Sequence, residues 1–109
     1  MQTEALQISI DWTDATVVLG LAGELDLAVG DELDFAARHL AASSARHVVI
    51  DLGRLQFMDS CGLRAVLRAR DTVTAEGRTL TVTNPPAAVK RVFDITGTAG
   101  ILESAQADR

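Results

Sequence analysis

This 109-residue sequence has one cysteine, one tryptophan, no tyrosine and a single lysine. The lone thiol, Cys61, cannot form an internal disulfide, so nothing in the chain points to an oxidising compartment. Aromatic residues make up 4% of the sequence, which is too few for a surface on which bases stack. Ten basic side chains against fifteen acidic ones leave a formal net charge of −5. A protein that binds nucleic acid or an anionic membrane surface needs a basic face to displace counterions from phosphates, so both are excluded as partners. No apolar run approaches the ~20 residues that span a bilayer. Met1-Gln2-Thr3-Glu4 lacks the positive start of a secretory signal, and the expected location is the cytoplasm. Neither G-x-G-x-x-G nor a glycine-rich loop ending in Lys-Ser or Lys-Thr occurs, which removes the nucleotide-fold signatures. One cysteine and two histidines at unrelated positions match no metal-ligand spacing. No metal and no cofactor are expected.

What is present is ordinary for a globular protein, at 48% apolar and 23% charged residues. The length fits a single domain, 1–109, with a small polar tail over about 103–109. Leu6, Ile8 and Ile10 alternate with polar neighbours at the period of a strand. Asp11-Trp12-Thr13-Asp14 supplies a turn, and Thr16 to Leu21 reads as a second strand that closes an antiparallel hairpin. Gly23-Glu24-Leu25-Asp26 ends that pair as a compact segment. From about Ala28 to Ala42 the period becomes helical, with Val29, Leu33, Ala36, Ala37 and Leu40 on one face. Asp31, Glu32 and Asp34 lie in its early turns, where the helix dipole favours acids.

His47-Val48-Val49-Ile50-Asp51-Leu52 is a nearly continuous apolar run, the pattern of a central strand covered by helices. A turn is expected at Gly53-Arg54. A second helix is expected from about Cys61 to Ala75, with Leu63, Val66, Leu67 and Val73 facing inward and Gly77 as its stop. Arg64 and Arg68 fall on one exposed stripe of that helix. Thr79 to Thr83 alternates as a further strand. Asn84-Pro85-Pro86 opens a third helix with Val89, Val92 and Phe93 inward, and Ile101-Leu102 offers a last short strand. Strands and helices interleave after the hairpin, so the fold class is α/β, a mixed β-sheet with helices packed against it.

The informative spot is Asp59-Ser60-Cys61-Gly62, where a connection runs straight into a helix N-terminus. Asp59 or Ser60 can cap that helix by accepting a hydrogen bond from one of its unpaired N–H groups. Ser60 can also be a hydroxyl presented for modification, since a phosphate there meets free N–H donors and the favourable end of the dipole. The two readings are compatible, and periodicity does not choose between them. A nucleophilic hydrolase is the enzyme alternative, because a strand–Ser–helix turn also builds a nucleophile elbow. Met58 stands where that elbow needs glycine, however, and His39 and His47 both precede the serine, whereas the elbow fold places its base after it.

Gly23-Glu24-Leu25-Asp26, Val48 to Leu52, Phe57-Met58-Asp59-Ser60-Cys61-Gly62-Leu63 and Val89-Lys90-Arg91-Val92-Phe93-Asp94-Ile95-Thr96-Gly97 occur in that order. Together they resemble the STAS domain of bacterial anti-sigma factor antagonists over nearly the whole chain. The resemblance implies a non-enzymatic switch. The unphosphorylated antagonist binds an anti-sigma factor, itself a serine/threonine kinase, and frees a sigma factor. That kinase then phosphorylates the serine after the motif aspartate, here Ser60, and a separate phosphatase resets it. Asp26 and Asp59 would shape the site and Gly62 would allow close approach at the helix start. Cys61, Leu63 and Arg64 would complete the partner-binding surface of a protein that is a monomer.

Phosphorylation would add about −1.5 to −2 charges beside Asp59 and, as the resemblance implies, Asp26. Like charges ~4 Å apart repel by ~1 kcal/mol in water and ~4 kcal/mol at an effective dielectric near 20. A difference of ~1.4 kcal/mol is tenfold in affinity, so local repulsion is enough to release a partner without refolding. Three positions depart from the family pattern. Cys61 stands where Ser or Thr is common, and Arg64 and Arg68 stand where small residues are often found, which bears on partner choice. The alternative within the same fold is a STAS interaction module that is never phosphorylated, either a signalling scaffold or a subunit of a membrane-transport system.

Overall fold

The computed structural model describes residues 6–26 and 29–102. The expected start of the first helix at Ala28, the N-terminal Met1-Gln2-Thr3-Glu4 and the polar tail 103–109 lie outside the described residues. The elements in order are β1 (Gln7–Thr13), β2 (Thr16–Leu25), α1 (Gly30–Ala41), β3 (His47–Met58), α2 (Ser60–Thr74), β4 (Thr79–Thr83) and α3 (Ala87–Ile95). A 3-10 turn at Ala99–Ile101 follows. Thr13 pairs with Thr16, so the hairpin closes on Asp14-Ala15, with Asp14 at φ 55°. Aspartate is one of the few residues that adopts this left-handed conformation readily. The sheet order is β1-β2-β3-β4. The β1–β2 pair is antiparallel, and β2–β3 and β3–β4 are parallel, with α1 and α2 as the two crossovers that parallel pairing requires.

The core follows from alternation. Val17, Leu19, Leu21 and Leu25 of β2, Val48, Ile50 and Leu52 of β3, and Val82 of β4 are all buried. They meet Leu33, Ala37 and Leu40 of α1, Leu63, Val66, Ala69 and Val73 of α2, and Val89 and Phe93 of α3 in one cluster. The intervening Val18, Gly20, Ala22, Val49 and Asp51 are only half-buried. Helices therefore cover one face of the sheet, and the run through Val49 does not mark a strand covered on both sides as the sequence suggests. Val49 lies opposite Val18 and Thr81 on the open face, where its neighbours along β3, His47 and Asp51, are polar.

Four element boundaries also differ from expectation. Asp11-Trp12-Thr13 forms no turn but stays in β1, paired to Val18, Val17 and Thr16, so the turn shrinks to Asp14-Ala15. β2 does not end at Leu21 but continues through Gly23-Glu24-Leu25, with Leu25 paired to Met58. No turn forms at Gly53-Arg54, and β3 runs unbroken through both residues. The irregularity is taken up as register shifts between Gly20 and Ala22 and between Gly23 and Glu24, and the Gly53 N–H is satisfied by Asp51 Oδ1 at 2.8 Å. A β-bulge bends a strand and raises its twist without ending it. Ile101-Leu102 forms no strand. Ile101 closes the 3-10 turn, and Leu102 makes a single parallel bridge to Val82.

Candidate functional site

The ends of β2 and β3 and the start of α2 converge on one edge of the molecule. Asp59 leaves β3 in an extended conformation and caps α2, its Oδ1 accepting the Gly62 N–H at 2.8 Å. The Asp59 carbonyl accepts the Leu63 N–H at 2.9 Å, so both of its acceptors hold the first turn. Such a cap stabilises by about 0.5–2 kcal/mol. Of the two capping candidates in the sequence, Asp59 is the cap. That leaves Ser60 as the first residue of α2, exposed, with a hydroxyl that makes no hydrogen bond among the described residues.

Gly62 is buried where α2 crosses the end of β2. A Cβ built there would fall on the Leu25 carbonyl oxygen and lie 2.9 Å from Met58 Cγ. Only glycine lets the helix approach this closely, because the obstacle is backbone and cannot rotate away. The close approach expected of Gly62 therefore has a definite partner.

The other site residues divide by exposure. Asp26, Cys61 and Arg64 line a shallow recess of about 130 Å³ together with Gly30, Asp31 and Arg68. Leu63 is buried at 4% relative exposure, so it anchors α2 in the core and shapes the site from below. Arg64 and Arg68 are both exposed, as their spacing suggests, but they differ in their partners. Arg68 reaches across to α1 and donates from Nε to Asp34 Oδ1 at 3.3 Å and from Nη2 to Asp34 Oδ2 at 3.2 Å. Arg64 is exposed and has no such partner among the described residues. Gly30, Asp31 and Asp34 carried no signal as site residues in the sequence, since what brings them here is packing between two helices. Phe57, two residues before the cap, is 46% exposed and adds an apolar side chain to the β3 end.

The geometry does not support a hydrolase. His47 sits at the start of β3 and bonds Thr79 Oγ1 at 2.6 Å. Ser60 follows the other end of the same strand, on the order of 30 Å away at ~3.3 Å per residue. His39 is exposed on α1, its ring 4.4 Å from that of Phe35. Among the described residues no polar or charged side chain is buried, and no three His, Cys, Asp or Glu side chains gather as a ligand set. No described helix is long and apolar enough to cross a membrane. What the site offers is a solvent-facing hydroxyl on a rigidly held helix start, flanked by carboxylates and by Arg64, which is unpaired among the described residues.

The family model described as "Mlab, STAS domain" matches residues 8–103. The anti-sigma F factor antagonist of Paenibacillus polymyxa is 33% identical over 98 residues, covering 84% of this chain and 80% of that protein. The chain belongs to the STAS-domain family of anti-sigma factor antagonists. Among solved structures, the antagonist SpoIIAA in its unphosphorylated form aligns with a TM-score of 0.74 at 27% identity, over 90% of this chain and 85% of that one. The phosphorylated form of the Bacillus cell fate determinant SpoIIAA aligns with a TM-score of 0.68 at 26% identity, over 90% and 88%. This STAS domain thus shares its four-stranded mixed sheet and helical layer with a protein solved in both phosphorylation states.

Proposed function

We propose that this STAS domain is the phosphorylatable component of a partner switch. Unphosphorylated, it binds an anti-sigma factor that is a serine/threonine kinase and so frees a sigma factor. The kinase phosphorylates Ser60, the complex parts, and a phosphatase restores the hydroxyl. The domain acts as substrate and binding partner and catalyses nothing itself. The observation that carries this reading is the state of Ser60, whose exposed hydroxyl has no hydrogen bond among the described residues, on a first helical turn that Asp59 and Gly62 hold independently of it. A phosphate can be added there without breaking a native contact. It would bring about −1.5 to −2 charges to a surface that already carries Asp26, Asp31 and Asp59. Asp26, Cys61 and Arg64 in the recess, with Phe57 nearby, supply the surrounding contact surface.

Intact-mass and peptide mass spectrometry on the protein isolated from its own cells, growing and stressed, tests this directly. One phosphate on Ser60 whose occupancy changes with condition is the expected result. In parallel, Ser60→Asp should bind the kinase about tenfold or more weakly in calorimetry, and equal binding would refute the charge switch. The alternative within the same fold is an unmodified STAS adaptor. A Ser60 that never carries phosphate in either condition would select it.

A further inference from the structure

Resting on the reading of Ser60 as phosphoacceptor, we propose that Arg64 pairs with the phosphate on Ser60 and sets the charge of the switched-off state. Ser60 and Arg64 are four apart in α2, which puts their Cβ atoms about 5–6 Å apart on one helix face. The order also fits: an anion N-terminal to a cation at this spacing is the better arrangement, because it agrees with the helix dipole. Of the two arginines lining the recess, Arg68 is already engaged by both oxygens of Asp34. Arg64 is exposed and without a hydrogen bond or ion pair among the described residues. It can turn to a new dianion without giving up a native contact. A guanidinium also suits phosphate because its parallel N–H groups can donate to two oxygens at once.

Other charged and titratable groups face the same place. Asp59, the cap, directly precedes Ser60, while Asp26 after β2, Asp31 of α1 and Cys61 and Arg68 of α2 line the recess with Arg64. The carboxylates oppose the phosphate dianion and Arg64 favours it. Arg64 thereby fixes how much of the added negative charge a partner meets, and it makes the off state sensitive to salt.

The test is a ³¹P NMR titration of protein carrying phosphoserine at position 60, installed by genetic encoding so that no kinase is needed. Arg64→Gln, Arg64→Lys and the control Arg70→Gln, on an exposed residue of the same helix, are compared with the parent at low ionic strength. Losing the cation should raise the second phosphate midpoint by about 0.2–0.7 pH, the size expected of an exposed ion pair. Arg64→Lys should restore part of this, Arg70→Gln should leave it unmoved, and ~1 M salt should abolish the difference. An Arg64→Gln midpoint equal to the parent's, or an Arg70→Gln shift of the same size, would overturn the pairing. A Ser60 that is never phosphorylated in cells would sink the switch yet leave this titration measurable, so the two failures can be told apart.

Discussion

Replacing Gly62 by alanine sets two physical effects of opposite sign against each other. Gly62 lies in the first turn of α2, and helix propensity alone favours alanine over glycine by about 1 kcal/mol. The added methyl would overlap the Leu25 carbonyl oxygen, lie 2.9 Å from the Leu25 carbonyl carbon and sit equally close to Met58 Cγ. Met58 is flexible and can yield, but the Leu25 backbone is the last residue of β2 and is held to β3 by its pairing with Met58. Relief requires α2 to move off the sheet, and overpacking of this kind costs about 1–3 kcal/mol. Gly62→Ala should therefore lose about 1–3 kcal/mol in urea denaturation with an unchanged m value. For a domain of this size that is a fall in Tm of roughly 5–20 °C. A variant as stable as the parent or more so would mean that helix propensity wins, and the clamp between α2 and Leu25 would be refuted.

Asp59→Ala removes the acceptor of the Gly62 N–H and should cost about 0.5–2 kcal/mol. Asp59→Asn keeps an acceptor and should cost less, so equal losses in thermal denaturation would count against the cap. Phe93→Ala empties a fully buried position of α3 and should destabilise by about 3–5 kcal/mol. The urea midpoint should fall accordingly, and a loss below about 1 kcal/mol would remove Phe93 from the core.

The parts of the fold legible in the sequence are those fixed by local chemistry. The sequence pattern places α2 over about Cys61 to Ala75 and the helix runs Ser60–Thr74, because a capping aspartate and a glycine stop act on neighbouring residues. Thr79 to Thr83 forms β4 as its alternation suggests, and Pro85-Pro86 places the start of α3 at Ala87. The misreadings involve neighbours distant in sequence. Gly53-Arg54 looks like a turn, but pairing with β2 keeps β3 extended, and the glycine signals appear as register shifts instead. Val49 is apolar enough for a covered strand, yet all three helices lie on the opposite face. At the site, Asp59, Ser60 and Gly62 announce themselves within four residues. The Asp34–Arg68 pair joins residues 34 positions apart, so no local pattern could separate Arg68 from Arg64.

That separation bears on how the proposed switch would be built into so small a domain. A phosphate that formed or broke native contacts would couple its occupancy to folding stability, and a marginal domain has only about 5–15 kcal/mol in total. Here the groups that hold the helix start are the Asp59 carboxylate, its carbonyl and the Gly62–Leu25 approach. None of them is the Ser60 hydroxyl. Arg68 ties α2 to α1 one turn beyond Arg64, and Arg64 itself makes no hydrogen bond or ion pair among the described residues. The hydroxyl and the cation best placed to answer its phosphate are thus both spare to the fold. In the proposed switch the two forms would then differ mainly in surface charge, which would act on a partner at ångström range and leave the sheet and its helical layer unchanged.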